Sequence, residues 1–336
     1  MKKRGVGFGC AWYGTGYGNG FPDVSSAFVE IHDDGSATVL TGAVDVGQGS
    51  NSIYAQIVAE ELGLNPQDIC VYTADTDATP DTGTTAATRQ TYNTGNAVLK
   101  AVRSARSGLL EFAAREFGCP TPEGIELKDG KIGVRGDPTR QALLEEMAFK
   151  ARLQGYRFIG AESSTARTTS LHPETGQGAP YWPYSFGAQL AEVEVDTETG
   201  RVRVLKMVAV HDVGQAMNPT QVEGQIAGGV VQGLGYALLE QLELSQGKIK
   251  NPSFSSYLIP TALDVPEIDC IFIEDPEPTG PYGAKGLGEP AMLPTIAAVV
   301  SAIDDAVGVR ITSLPATPER ILAALEEKKE GGISQK

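Results

Sequence analysis

The chain has 336 residues with 27 Lys plus Arg against 42 Asp plus Glu, a formal net charge of −15. So acidic a surface argues against nucleic acid and anionic membrane as partners, and no basic cluster or RNA-type aromatic motif offsets it. The cysteines (Cys10, Cys70, Cys119, Cys270) and histidines (His32, His172, His211) are too scattered for an evident iron–sulfur, zinc or HExxH site.

In chain order, the basic start Met1-Lys2-Lys3-Arg4 meets glycines instead of a sustained apolar stretch, so neither a signal peptide nor a membrane span is expected. With isolated cysteines, this fits a cytoplasmic location. Residues 1–23 are rich in glycine and aromatics (Gly5, Gly7, Gly9, Trp12, Tyr13, Gly14, Gly16, Tyr17, Gly18, Gly20, Phe21). A GxGxxG match there has no strand-then-helix context, so the segment reads as a loop lining a pocket. Ala27 to Ile31 and Ala37 to Thr41 then alternate about the turn Asp33-Asp34-Gly35-Ser36, predicting a β-hairpin. Asp45-Val46-Gly47-Gln48-Gly49-Ser50 leads into a helix-period run through Ile53, Ile57, Val58 and Leu62 that stops at Gly63. A cap and a strand follow at 66–72.

Residues 73–95 are dense in Thr, Asp and Gly. Hydroxyls and backbone N–H groups in such a run suit anionic oxygens, although a solvated loop before a helix at 94–117 reads as well. A short strand at 131–134, a helix at 139–151 and a long loop at 160–183 complete the middle of the chain. Ala191 to Val195 and Val202 to Leu205 then alternate about Asp196-Thr197-Glu198-Thr199-Gly200, followed by Asp212-Val213-Gly214-Gln215 and a small-residue helix pattern at 222–239. Hairpin, Asp-Val-Gly-Gln and helix therefore occur twice. The pattern predicts an α+β fold of two related β-hairpin–β–α lobes from an internal duplication, with both glutamine loops near their interface. The boundaries expected are 1–155 for the first lobe, 156–325 for the second, and 326–336 for a frayed or disordered tail after a short helix at 317–322.

Gly283-Ala284-Lys285-Gly286-Leu287-Gly288-Glu289-Pro290 places one carboxylate on a turn of small residues at the mouth of an apolar helix reaching at least Ala306. Glu289 there is either a helix-capping residue or a catalytic acid.

Asp45-Val46-Gly47-Gln48-Gly49, Thr85-Ala86-Ala87-Thr88, Gly224-Gln225-Ile226 through Gly235, and Lys285 to Pro290 occur in that order. Together they resemble the molybdenum hydroxylase family (xanthine dehydrogenase, aldehyde oxidoreductase and relatives), at the C-terminal half of the molybdopterin-binding subunit, over roughly residues 4–325. The resemblance implies a molybdenum-cofactor-binding domain of an oxidoreductase that oxidises a purine, another N-heterocycle or an aldehyde with water as oxygen source. It implies cofactor binding by Gly47, Gln48, Gly49, Ala86, Ala87, Thr88, Thr91, Gln225 and Gly288, with Glu289 as general base and no metal ligand from the protein. The cofactor would be molybdopterin, its mono- or dinucleotide form left open.

Family large subunits are about twice as long as this chain. The resemblance therefore implies partners: the N-terminal half of the molybdenum subunit, an iron–sulfur subunit and a FAD subunit. The chain alone would be inactive, with an apolar surface turned to the missing half. A non-catalytic cofactor-holding or assembly module is the alternative. A serine hydrolase is not supported, because no GxSxG elbow or partnered histidine is present.

Overall fold

The computed structural model describes residues 1–18, 21 and 23–333; Gly20 of the N-terminal glycine run and the last three residues lie outside them. The chain starts with β1 (Lys2–Gly14), then forms the hairpin β2 (Val24–Ile31) and β3 (Ala37–Thr41), α1 (Ser50–Leu62), β4 (Ile69–Thr73) and α2 (Gly95–Glu116). A small three-stranded sheet follows, of β5 (Ile125–Lys128), β6 (Lys131–Val134) and β7 (Gln141–Leu143), with α3 (Leu144–Leu153) and then β8 (Phe158–Thr165). The second half runs through β9 (Tyr184–Asp196), β10 (Val202–Asp212) and α4 (Pro219–Leu238). A short ribbon of β11 (Leu244–Ser245) and β12 (Lys248–Ile249) precedes β13 (Glu267–Ile273), α5 (Leu293–Val307) and α6 (Pro318–Ile333).

Two four-stranded sheets carry the fold. One has the order β4-β3-β2-β8, with β3 and β4 parallel and the other pairs antiparallel. The other has the order β1-β9-β10-β13, with β10 and β13 parallel and the other pairs antiparallel. Both predicted hairpins form. In the first, the Asp34 carboxylate accepts from the Ser36 hydroxyl at 2.6 Å and the Ser36 N–H at 2.9 Å. Those donors hold the Asp34 carboxyl below its usual range. Alternation buries Ala27, Val29 and Ile31 against α1 and α2, where Ile57, Leu62, Leu109 and Phe112 complete one core. Val193, Met207, Ile226, Leu234, Val299, Ile303 and Ile321 form the other. Each fully buried large apolar side chain contributes roughly 1.5–3 kcal/mol.

The structure differs from the sequence reading at five places. The N-terminal glycine segment is strand β1, not a pocket loop. Its inward positions are glycines, so the period-two pattern carries no apolar signal. A Cβ on Gly7 would lie 2.1 Å from Ala298 O and Ala302 N, and one on Gly5 would lie 2.4 Å from Ala302 O, because the α5 backbone rests directly on β1. The long loop expected from Gly160 loses its first residues to β8, an edge strand whose Ser163, Ser164 and Thr165 hid it. A lobe boundary at 155 does not separate the sheets, since β1 joins the second and β8 the first. The helix expected at 139–151 starts at Leu144, because Gln141–Leu143 pairs with β6. The tail expected to fray from 326 is helical to Ile333.

Glu289–Val307 is apolar and long enough to cross a membrane, yet α5 spends its apolar face on β1, β9 and α4 inside the protein. Gly7→Ala puts a methyl against backbone that cannot rotate away, and should destabilise the chain by about 1–3 kcal/mol, read as a lower urea midpoint.

Candidate functional site

A cavity of about 490 Å³ opens between the loops of the two sheets. Four segments build it. The first joins β3 to α1. There the Asp45 carboxylate accepts from the N–H groups of Gly47 (2.9 Å), Gly49 (3.3 Å) and Asn51 (3.1 Å). Burial pushes the Asp45 carboxyl up, but those three amides together hold it below its ordinary value. Gln48 reaches the cavity wall. Its amide is turned back on its own loop, accepting from Val46 N–H at 2.6 Å and donating to Val44 O at 2.9 Å and Ser50 Oγ at 3.1 Å. Gln48 therefore shapes the loop, and Gly47 and Gly49 flank it with φ of 107° and 81°, a left-handed backbone suited to glycine.

The second segment is the turn 82–91. Ala86, Thr88 and Thr91 line the cavity, and Ala87 and Thr88 carry positive φ (55° and 58°). For a β-branched threonine that backbone is strained, and the surroundings must impose it.

The third segment is α4. Asn218 caps it, its side chain accepting from Gln221 N–H at 3.1 Å. Gln221, Gln225, Gly228 and Gln232 recur at helical spacing along the wall. Gln221 Oε1 is buried without a partner. A Cβ at Gly224 or Gly228 would meet nothing within 4 Å, so the helix surface between these amides is open.

The fourth segment follows β13. Lys285 is nearly buried and pairs with Asp212 at 2.6 Å, leaving no free cation from that residue in the cavity. Gly286 sits so close to Thr88 that a Cβ would lie 1.9 Å from Thr88 O. Glu289 then crosses to the other sheet's loop. Its carboxylate accepts from Ala87 N–H at 3.0 Å and from the Thr88 hydroxyl, and its own N–H donates back to Thr88 Oγ1 at 3.2 Å. Glu289 opens a short helical turn (Glu289–Ala291) that runs through Met292 into α5 at Leu293, so the acid sits at the mouth of the apolar helix as expected. Gly288, just before Glu289, has an unusual backbone (φ −126°, ψ −94°), and Pro290 and Pro294 lie in first-turn positions that proline suits.

The structure thus gathers Gln48, Ala86, Thr88, Thr91, Gln225, Gly288 and Glu289 around one cavity, with Gly47, Gly49 and Ala87 immediately behind its wall. Both Asp-Val-Gly-Gln loops reach it, through Gln48 and Gln215. Sequence reasoning missed Gln221, Gln232 and Arg89, which also line it. The glutamine spacing on α4 was a usable signal; Arg89 had none. Of the N-terminal aromatics, Tyr13 lies near Glu289, and burial first, then the Glu289 charge, pushes its phenol up. Trp12 instead packs on Tyr184 with ring centroids 5.1 Å apart, and Phe21 is exposed. Among the described residues no group of three or more His, Cys, Asp or Glu could hold a metal ion.

Comparison with known proteins matches a molybdopterin cofactor-binding domain family over residues 1–266. The chain belongs to that family. This cofactor-binding domain is 35% identical over 330 residues to the 6-hydroxypseudooxynicotine dehydrogenase complex subunit gamma of Paenarthrobacter nicotinovorans, covering 96% of the chain and 40% of the relative. It is 32% identical to a putative xanthine dehydrogenase molybdenum-binding subunit of Escherichia coli, covering 95% of the chain and 42% of the relative. The quinoline 2-oxidoreductase structure from Pseudomonas putida 86 superposes with a TM-score of 0.86 at 30% identity, over 97% of this chain and 42% of that one. The chain therefore spans about two-fifths of the length of these relatives.

A buried amide–imidazole network supports the Glu289 turn of the domain from behind. Gln189 Nε2 donates to Ala291 O at 2.7 Å and to His211 Nε2 at 3.0 Å, while its Oε1 accepts from Thr295 Oγ1 at 2.5 Å. An accepting Nε2 puts the imidazole proton on Nδ1, so His211 is neutral, and burial pushes its pKa down to about 4. Because the folded value lies below the unfolded one of 6.5, stability present above pH 6.5 is lost as pH falls towards about 4. The loss should be on the order of 1.4 kcal/mol per pH unit. Thermal midpoints of His211→Gln should fall less steeply over that window than those of the native chain.

Proposed function

We propose that this domain grips the molybdopterin and supplies the general base of a molybdenum hydroxylase acting on a purine, another N-heterocycle or an aldehyde, with water as oxygen source. The observation that carries this reading is the convergence of Glu289, the 85–91 turn and the α4 amides on one cavity. The residues present suit the cofactor. Gln221 Oε1 lacks a partner, and at Gly228 on the cavity wall a Cβ would meet nothing within 4 Å, so this part of the wall is open. Gln221, Gln225 and Gln232 would meet the ring's donors and acceptors, since an amide offers both. The Ala86–Thr91 turn would meet its oxygens. When bound, the cofactor supplies the molybdenum, that metal's sulfur ligands and the two-electron oxidation. Glu289 supplies what the protein must: an oxygen that takes a proton from the water-derived nucleophile. Ala87 N–H and the Thr88 hydroxyl orient its carboxylate toward that task.

A second reading keeps the same fold as a cofactor-holding or assembly module. It is favoured by those same bonds, because a carboxylate that accepts from Ala87 and Thr88 also latches the two sheets' loops together. Glu289→Gln in the assembled complex separates the two. A general base costs at least about 10²-fold in kcat with molybdenum content unchanged. A latch lowers molybdenum content and leaves the rate per bound molybdenum intact.

The partners we propose are the remainder of the molybdenum subunit, an iron–sulfur subunit and a FAD subunit. Support comes from the two-fifths coverage of the relatives, and from apolar surface with no cover in this chain. Val6, Phe8, Trp12, Phe186, Leu190, Ile271 and Ile273 form an exposed face on the second sheet, and Leu242, Phe254, Leu258 and Leu263 stand out of the segment after α4. The purified chain loaded with cofactor should show no turnover on purines or aldehydes until the partner subunits are added.

We also infer that the two lobes arose by internal duplication. In support, each hairpin leads through an Asp-Val-Gly-Gln loop and a helix to a parallel strand, with an antiparallel strand on the far edge. Asp45 and Asp212 each accept from the N–H of the glycine two residues on, at 2.9 and 3.0 Å. Gly160 seats α2 as Gly5 and Gly7 seat α5.

A further inference from the structure

We propose that Arg89 is a positioning residue that holds the 82–88 turn in the one shape that presents Ala87 N–H and the Thr88 hydroxyl to Glu289; this rests on the reading of Glu289 as the base. Arg89 lies in the cavity wall, yet its side chain is 0% exposed. All five of its N–H donors are taken up inside the protein. Nε donates to Asp23 Oδ1, Nη1 to Thr82 O (2.6 Å) and Thr84 O (3.2 Å), and Nη2 to Val24 O (3.0 Å) and Ser25 Oγ (3.2 Å). The guanidinium also lies 5.6 Å from the centroid of the Tyr17 ring, and the Tyr17 hydroxyl donates to Thr84 O at 3.1 Å.

A cation so fully engaged has nothing left to offer a ligand, so its effect on the site passes through the turn. Two of its donors fix the carbonyls of Thr82 and Thr84, the entry to that turn. Its own backbone N–H donates to Ala86 O at 3.4 Å, so one residue spans the loop from both ends. Between those points lie Ala87 and Thr88, the strained pair that binds Glu289. Asp23 extends the anchor. It accepts from Tyr17 N–H at 3.1 Å and Asn93 Nδ2 at 3.0 Å, and so ties the turn to the segment entering α2. A planar fork with five donors meets acceptors in this arrangement; a lysine ammonium has three donors and no fork.

The test is Arg89→Lys, which keeps the charge opposite Asp23 but loses the fork. In the full chain, deuterium exchange of the peptide spanning residues 82–91 should rise at least about tenfold, with the peptides of α1 and β9 unchanged. In the assembled complex, kcat should fall at least about tenfold while KM and molybdenum content stay within about twofold. Placed on Glu289→Gln, the same change should cost less than about twofold, because the base it positions is already gone. Unchanged exchange in the turn, a loss confined to molybdenum content, or full additivity with Glu289→Gln would each overturn the proposal. If Arg89→Lys fails to fold, Asp23→Asn takes its place with the same three readouts, and the same results support or overturn the proposal. If Glu289→Gln leaves the rate unchanged, the base reading fails, and turn exchange alone decides whether Arg89 holds the turn.

Discussion

One carboxylate ties the two halves of the fold together. Glu289 leaves a loop of the second sheet and is received by Ala87 N–H and the Thr88 hydroxyl on a loop of the first, while Thr88 Oγ1 accepts the Glu289 N–H in return. Reciprocal bonds of this kind require both loops in register, and Gly286 sets the approach by letting its backbone touch Thr88 O. The cavity exists because this contact closes one side of it while α4 stands off on the other. The interaction that joins the loops of the two sheets therefore also delivers the only acid on the cavity wall among the described residues.

Backbone-on-backbone packing is what makes that register possible. With glycine at the inward positions of β1, α5 lies closer to the sheet than any side-chain-mediated contact allows. The Glu289 turn immediately precedes α5, so seating the helix places the turn. The Gln189–His211–Thr295 network then secures the carbonyl of Ala291 from within the core. Gln189 Nε2 can only donate, so His211 Nε2 accepts and its ring is neutral, while the buried Nδ1 is left without a partner. The Glu289 side of the cavity is thus held by hydrogen bonds from within the core, which suits the proposed role of orienting a cofactor.

Much of this was legible beforehand where local rules act alone. The hairpin at Asp34-Gly35-Ser36, the stop of α1 at Gly63 and the extent of α2 all follow from turn chemistry and periodicity. The errors arose where the pattern was silent. β1 has glycines where inward apolar residues would signal a strand, and β8 is an edge strand rich in hydroxyls. Of the site, the glycine-flanked Gln48, the Thr-rich turn and Glu289 were visible as motifs. The role of Gln48 in shaping its own loop was not, since the fold of a side chain back onto its backbone leaves no trace in spacing.

By itself, the sequence determined the hairpins, the helices and the short motifs, because these depend on residues near one another along the chain. Only the tertiary structure decided that β1 crosses to the far sheet, that Arg89 is buried beneath the turn it anchors, and that Glu289 binds residues some two hundred positions away. Such pairings depend on which surfaces can approach to hydrogen-bond distance. That is set by glycine gaps and by the pairing of most buried polar groups, and neither has a period that a linear reading can detect.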